Sequence, residues 1–386
     1  ARRHHAADQG VVGAHRQHRH RGRYPYRLMN NNLDEEIRTR VLPRFPLSRA
    51  AKIAPFGSGL INQTFAVTTP TKERFVLQRV NPLFPAAIHA NIRAVTDALV
   101  RAGLTTPLLI ETNGGADCLE LPGASAEDRP SVWRMLTFVD GVSFDVVASA
   151  AQARAAGALI ARFHAAVEGL AHAFVGLRAG VHDTPRHLQT LRDALKEHAN
   201  HPLHTEVLEL GLRILDATAT LEALPDVPAR VGHGDLKFNN VLFAGATPPA
   251  SEQAVCLVDL DTVGPQALAF ELGDAWRSWC NRSGEDDPDA RLDLEVFEAS
   301  YDGYATALGR ALSADERRAL LLGPEWISVE LAARFAADAL RESYFGWDPK
   351  RFPTRGAHNL LRARGQWSLH EAFVATHARR TSVLGV

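Results

Sequence analysis

Between Val231 and Phe243 the chain reads "VGHGDLKFNNVLF". Eight of these residues, "HGDLKFNN", hold a His, an Asp, a Lys and two Asn, and the apolar "VLF" follows at once. Asp235 is a carboxylate in a polar loop, able to accept a proton or orient a hydroxyl. Lys237 places a positive charge beside it. Asn240 adds a neutral oxygen ligand. A second acid, Asp259, arrives near the end of "AVCLVDLD", and Asp261 follows two residues later. "VLF" and "AVCLV" flank the insertion-like loop "GATPPASEQ". They read as a hairpin that returns Asp259 to the side of Asn240.

That set is what phosphoryl transfer asks for. The reaction needs metal ions on the phosphates, a positive charge on the moving group and a carboxylate on the incoming hydroxyl. Magnesium takes hard oxygen ligands and usually only one or two carboxylates. Asn240 and Asp259 fit the metal, Asp235 the hydroxyl and Lys237 the γ-phosphate. Asp261 is either a second metal ligand or a solvated turn carboxylate. A merely capped loop with an Asx turn would not need Lys237, Asn240 and Asp259 in this register.

The elements that must position these groups fall into two sets. "AKIAPF", "TFAVTT" and "TKERFVLQRV" read as three strands, with the glycine turn "GSGLINQ" between the first two. Gly57 and Gly59 flank Ser58 there, so backbone N–H groups could cover phosphates. "PAAIHANIRAVTDALVRAG" has apolar residues at three and four spacing and a stop at Gly103, which predicts a helix. "PLLIET" and "SVWRMLTFV" complete a lobe of five strands and one helix. After "DGVSFDVV" the chain is almost all helical, apart from the two short strands around the loop. The reading is α+β: an N-terminal lobe over 29–138 and a larger helical lobe over 139–386.

Composition narrows the class. The chain has 386 residues, 46% hydrophobic and 23% charged, which suits a globular protein of two lobes. No apolar run reaches the roughly 18 residues that a membrane span requires. Cys118, Cys256 and Cys280 are scattered without a metal or disulfide spacing, so buried thiols in a reducing cytoplasm are expected. The first 28 residues hold seven Arg and one Asp, so the basic charge is concentrated there. Such a tail could touch nucleic acid or membrane. It lacks hydrophobic periodicity, and the first Met is Met29, so residues 1–28 are read as a disordered segment outside the fold. It is no secretory signal, because it has no apolar h-region.

The pattern H-x-D-x-K-x-x-N, followed by a strand and an Asp, resembles the catalytic and metal loops of the protein-kinase-like superfamily. The "HGD" form resembles the aminoglycoside and choline kinase-like phosphotransferases. "HGDLKFNNVLF" with "LVDLDTV" looks closer to the N-acetylhexosamine 1-kinase group, as do "GSGLINQTF", "FVLQRVN", "WRMLTFVDG" and "SYF…HNLLRARGQ". The resemblance runs from about Ala51 to about Trp367 and implies a two-lobed kinase-like fold using ATP with Mg2+.

It also implies nucleotide contacts at Gly57, Ser58, Gly59 and Asn62, and adenine bonded to the backbone around Leu136 to Phe138. The third strand should carry a phosphate-pairing cation. "FVLQRV" offers Gln78 or Arg79: motif counting selects Gln78, charge favours Arg79, and alternation lets only one face the cleft. The partnering helix has no Glu and offers Asn91 or Asp97. Asp274 and Arg277, three apart on one helical face, brace the catalytic loop, line the acceptor pocket or form a plain surface pair. His233 is expected to brace the loop through a backbone hydrogen bond.

The acceptor should sit among the late helices, where Arg334, Asp338, Arg341, Tyr344 and Trp347 cluster. An Asp-Arg-Tyr-Trp group suits a sugar, and the late helices have no dense acidic cluster to favour a cationic acceptor. The resemblance thus implies phosphorylation of the anomeric hydroxyl of an N-acetylhexosamine or related sugar. Another small alcohol (aminoglycoside, choline-like or homoserine-like) is the nearest alternative. A nucleotide-binding pseudokinase is the reading from a different class, motivated by the missing Lys–Glu pair. No Ala-Pro-Glu segment follows Asp261, which argues against a protein kinase. Neither nucleic acid, membrane nor protein partner is implied.

Overall fold

The computed structural model describes residues 31–47, 52–57, 61–123 and 130–386. The basic segment 1–28 and the turn residues Ser58 and Gly59 lie outside these. The described chain opens on α1 (Asn31–Glu36), which continues through a π turn (Ile37–Val41) and a 3-10 turn (Leu42–Arg44). Ile37, Val41, Leu42 and Phe45 are buried against Phe65, Val67, Leu77, Trp133 and Met135 on one face of a sheet.

That sheet holds β1 (Lys52–Pro55), β2 (Gln63–Thr68), β3 (Arg74–Val80), β4 (Leu109–Ile110), β5 (Leu119–Leu121) and β6 (Ser131–Thr137). Its order is β1-β2-β3-β6-β4, with β5 also on β6, and each pairing is antiparallel. Five strands were expected. The sixth, "LEL", is too short to show alternation. The helix α2 (Ile88–Arg101) lies where its periodicity placed it.

The register of β3 against β6 decides which side chains enter the cleft. Leu77 packs with the outer core, whereas Val80 belongs to the core beneath the sheet. Successive residues of a strand point to opposite faces. Gln78 therefore shares the inner face with Arg134, its partner across the ladder. Arg79 lies on the outer face, its guanidinium 5.8 Å from the Trp133 ring.

The second lobe begins with α3 (Ala150–Val167), α4 (Thr184–Glu197) and α5 (His204–Thr220). Two small ladders follow. β7 (Arg230–Gly232) pairs with β10 (Gly264–Gln266), and β8 (Val241–Phe243) with β9 (Ala254–Leu257). The hairpin expected around "GATPPASEQ" is thus β8–β9. The rest is α6 (Leu268–Trp279), α7 (Leu294–Ala307), α8 (Ala314–Arg341), α9 (Arg355–Ala375) and α10 (His377–Leu384). The chain is therefore α+β, a small antiparallel sheet joined to a mainly helical lobe. Two cores hold the helical lobe. One joins α3, α6 and α7 to the β8–β9 hairpin, and the other joins α4, α5, α8 and α9. Ser313 and Glu316 form a capping box that starts α8, satisfying two otherwise orphaned N–H groups.

The crossing of α6 and α8 matters most for the site, because α6 runs beneath the "HGD" loop. There Gly323 meets the α6 backbone, and a Cβ on it would stand 2.1 Å from the Ala269 carbonyl oxygen. Gly323→Ala should therefore destabilise the fold, although Ala is the better helix former. Forcing a methyl into a packed crossing costs about 1–3 kcal/mol. The urea midpoint should fall; an unchanged or raised midpoint would show that α6 and α8 can separate freely.

Candidate active site

The "HGD" loop is held from below by one carboxylate. Glu271 of α6 accepts the backbone N–H of His233 at 2.7 Å and of Gly234 at 2.9 Å. His164 of α3 lies 3.4 Å from the same carboxylate, and its other ring nitrogen is 2.9 Å from the Tyr304 hydroxyl. Burial alone would raise the Glu271 carboxyl, but His164 and His233 hold it below the usual carboxylate range. Gly234 sits at φ +78°, and a Cβ there would lie 2.6 Å from the Thr262 carbonyl oxygen. Only glycine fits that position without strain.

His233 makes the expected backbone contact, with Nε2 3.0 Å from the Val258 carbonyl oxygen. Thr262 donates its hydroxyl to the His233 carbonyl, and Trp279 donates its indole N–H to that of Leu236. The loop is thus tied at His233, Gly234 and Leu236, on either side of Asp235.

Those side chains converge. Lys237 Nζ is 2.8 Å from Asp235 Oδ2. Burial pulls the Lys237 ammonium down, but Asp235, Asp274 and Asp259 more than offset this and keep it charged. Asn240 donates Nδ2 to the Asp235 carbonyl at 2.8 Å, which leaves its Oδ1 to serve as a ligand. Asp259 follows β9 at φ 66°, a left-handed turn that is strained for a non-glycine residue. Asp259 is exposed at the mouth of the cleft, but partial desolvation by the surrounding protein and the neighbouring Asp261 raise its carboxyl to about 6. Among the described residues no group of three or more His, Cys, Asp or Glu is arranged to hold a metal. A nucleotide-borne magnesium does not need one, since phosphates and water supply most of its ligands. Asp259, which makes no hydrogen bond among the described residues, and the Asn240 amide oxygen stand at the ends of adjoining strands and suit such a cation.

Asp261 is neither solvated nor free. Arg134 forms a buried ion pair with one of its oxygens, and Asn62 donates to the other at 2.7 Å. Burial raises Asp261, but Arg134 and Asn62 outweigh that and hold it below the usual range. Asn62 also accepts the Asn81 N–H at 2.9 Å, so it ties the end of the glycine turn to the metal loop. Gly57 adopts φ 77°. Leu136 is half-buried and pairs with Val76 and Leu109. Phe138 packs 5.4 Å from Phe56, with the Arg74 guanidinium 4.1 Å above its ring.

Two readings of the nucleotide side need correction. Arg79 does not face the cleft, because strand alternation puts it on Trp133. Gln78 does, and its Oε1 accepts from Arg134 Nε at 2.8 Å. The helix partner is neither Asn91 nor Asp97. Asn91 bonds the Val175 backbone at 2.7 and 3.0 Å and docks α2 onto the second lobe, and Asp97 is exposed. The α2 residue near Arg134 and Asp261 is His89, only 2% exposed.

On the acceptor side, Asp274 pairs with Arg277 at 2.8 Å. Arg277 is buried behind it, so the pair is no plain surface contact. The bracing of the loop falls to Glu271, one turn earlier on α6. Arg334 lies over the Phe345 ring at 5.6 Å, and the Tyr344 hydroxyl accepts from Arg178 at 2.9 Å. Beside them His182 stacks on Phe270 and bonds Glu330 at 3.1 Å.

Asp338 and Arg341 do not join this group. The Asp338 carboxylate accepts three backbone N–H groups, from Ser343, Tyr344 and Phe345, and the Asn359 amide. It closes the turn after α8 and has no capacity left for a ligand. Arg341 reaches Glu197 at the end of α4.

Arg134, Glu271, His182 and Glu330 were not found from sequence. Arg134 had a signal: a lone charge inside the apolar strand "SVWRMLTFV". So did Glu271, which stands three residues before Asp274 on the same helical face.

Residues 52–322 match the model of the phosphotransferase enzyme family, APH. The chain belongs to that family and is a phosphotransferase acting on hydroxyl groups. Its fold is similar to that of a microcompartment-associated aminopropanol kinase (17% identity, TM-score 0.61, covering 90% of this chain and 98% of that one). It is also similar to an aminoglycoside phosphotransferase from Alicyclobacillus acidocaldarius (17%, TM-score 0.53, 88% and 95%). A third is the amicoumacin kinase hAmiN in complex with AMP-PNP, Ca2+ and Ami (12%, TM-score 0.53, 83% and 88%). Among the described residues no helix is long and apolar enough to cross a membrane.

The raised Asp259 carboxyl sets a pH window. Below about 6 a cation must displace a proton from it; above that the carboxylate is already ionised. Divalent-cation affinity should therefore rise from pH 5 to pH 7 and level off beyond. Calorimetry in two buffers of different ionisation enthalpy should show proton release on binding near pH 6. An affinity that is flat from pH 5 to 7 would place the cation elsewhere.

Proposed function

We propose that the protein is an ATP- and Mg2+-dependent kinase that phosphorylates the anomeric hydroxyl of an N-acetylhexosamine or related sugar. The observation that carries the kinase chemistry is the convergence of Asp235, Lys237, Asn240 and Asp259 on one braced loop and its adjoining hairpin. In this reading Asp235 Oδ accepts the acceptor's proton as its oxygen attacks the γ-phosphorus. Lys237 offsets charge on the transferring group and holds Asp235 in place. Asn240 Oδ1 and Asp259 would hold the magnesium, which neutralises phosphate charge when bound. Asn62 and the turn at Gly57 cover the phosphates, and the Leu136–Phe138 backbone borders the base, beside the packed Phe56 and Phe138 rings. The cytoplasm, where ATP is abundant, is the compartment this chemistry fits.

Support for a neutral acceptor comes from the groups beyond Lys237. The carboxylates there are already matched with cations: Asp274 with Arg277, and Glu330 with Arg334. Such pairs offer hydrogen-bond donors and acceptors to hydroxyls without a surplus negative charge. Tyr344 is 56% exposed and presents an aromatic face at the rim, the surface a sugar ring stacks on.

Incubation with ATP, Mg2+ and a panel of N-acetylhexosamines, other sugars, amino alcohols and aminoglycosides, followed by phosphorus NMR, tests this reading. A sugar 1-phosphate signal that is lost in Asp235→Asn is expected. Transfer to an amino alcohol instead would keep the chemistry and overturn the sugar assignment. ATP binding without transfer to any acceptor would count for a pseudokinase.

A further inference from the structure

The cleft lacks the lysine that a kinase-like third strand would place against the nucleotide's phosphates. We infer that Arg134, from β6, supplies that charge instead, and that Asp261 holds its guanidinium while no nucleotide is present. This rests on the nucleotide-binding reading above.

The ladder gives the first reason. Gln78 stands at the cleft-facing position of β3, and its register partner across the sheet is Arg134. The two are bonded, Arg134 Nε to Gln78 Oε1, and Gln78 in turn donates to the Thr64 hydroxyl at 3.1 Å. Gln78 thus fixes the direction in which the guanidinium points. The positive charge has moved one strand over, and a neutral amide occupies its former place.

The second reason is where that guanidinium reaches. Its Nη1 meets Asp261, two residues from Asp259. The tip of Arg134 therefore enters the metal-binding loop rather than the sheet core. Among the described residues nothing accepts a hydrogen bond from Nη2. An arginine keeps its proton at any ordinary pH and must be paired when buried. Here α2 offers no acid for that purpose, only His89, whose Nε2 has no hydrogen-bond partner. Among the described residues the acid in contact with it is Asp261, whose other oxygen Asn62 bonds.

A phosphate matches the guanidinium fork as a carboxylate does. Asp261 and a nucleotide phosphate are thus alternative anions for one cation. In the nucleotide-free protein the Arg134–Asp261 pair bridges the two lobes. When nucleotide enters, Arg134 turns its free edge to the α- and β-phosphates and its hold on Asp261 loosens. Arg134 contacts the co-substrate directly in this account, and Gln78 acts as a positioning residue.

Calorimetric titration of the full chain with adenosine, with ADP in the presence of a chelator and with ADP plus Mg2+ tests this. Arg134→Gln should weaken Mg2+–ADP binding about tenfold or more while leaving adenosine affinity within twofold, the loss expected for a charged hydrogen bond. Gln78→Lys combined with Arg134→Gln should recover most of that loss by returning the charge to β3. Asp261→Asn should tighten metal-free ADP binding severalfold, because the competing anion is gone. An Arg134→Gln protein with the native ratio of ADP to adenosine affinity would overturn the inference. If that variant does not fold, metal-free ADP binding that is unchanged or weaker in Asp261→Asn overturns it independently. Failure of the native protein to bind either adenosine or ADP would instead remove the nucleotide reading itself.

Discussion

The site depends on one buried carboxylate. Glu271 accepts two consecutive backbone N–H groups of the "HGD" loop, a strong arrangement because the acceptor of both bonds is ionised. Leu236 and Phe238 pack into the core, but the polar start of the loop needs another hold on its backbone. Fixing it from beneath leaves Asp235, Lys237 and Asn240 free to point upward. Glu271 can serve only if α6 lies at the right depth, and Gly323 lets α6 and α8 approach closely enough for that. His164 and Tyr304 complete the set from α3 and α7, so four helices bear on the position of two peptide groups.

The upper lobe meets this platform through a second charge arrangement. Arg134, held by Gln78, and Asn62 reach down to Asp261, and Asn91 of α2 reaches the loop at Val175. A buried ion pair of this kind contributes little net stability, because desolvation of both charges opposes their attraction. Its breaking by loss of one partner is expensive for the same reason. That asymmetry suits a contact that exchanges one anion for another better than one that merely stiffens the hinge between sheet and helices.

The sequence made the chemistry of the loop legible because those residues are contiguous. Asp235, Lys237 and Asn240 lie within six positions, and the hairpin returning Asp259 could be inferred from two short apolar runs. The α+β division was legible from periodicity. Contacts set by tertiary register were not. Whether Gln78 or Arg79 enters the cleft depends on which face of β3 is covered by the helical turns at Ile37 and Val41, and nothing local to "FVLQRV" says so. Charge was the wrong guide there, since an Arg can lie on an indole as readily as on a phosphate. Asp338 misled for a related reason. A carboxylate near a helix end satisfies backbone donors as well as it binds a ligand, and only the fold shows that its oxygens are already taken.

Hydrogen exchange across residues 231–240 tests the dependence on Glu271 most directly. In Glu271→Gln one acceptor oxygen becomes an NH2 group facing backbone donors, with side-chain shape preserved. The His233 and Gly234 amides should exchange about tenfold faster or more, the scale of one lost charged hydrogen bond, while α3 and α7 keep their native protection. Unchanged protection at His233 and Gly234 would contradict the account and mean that the indole of Trp279 and the hydroxyl of Thr262 hold the loop without Glu271.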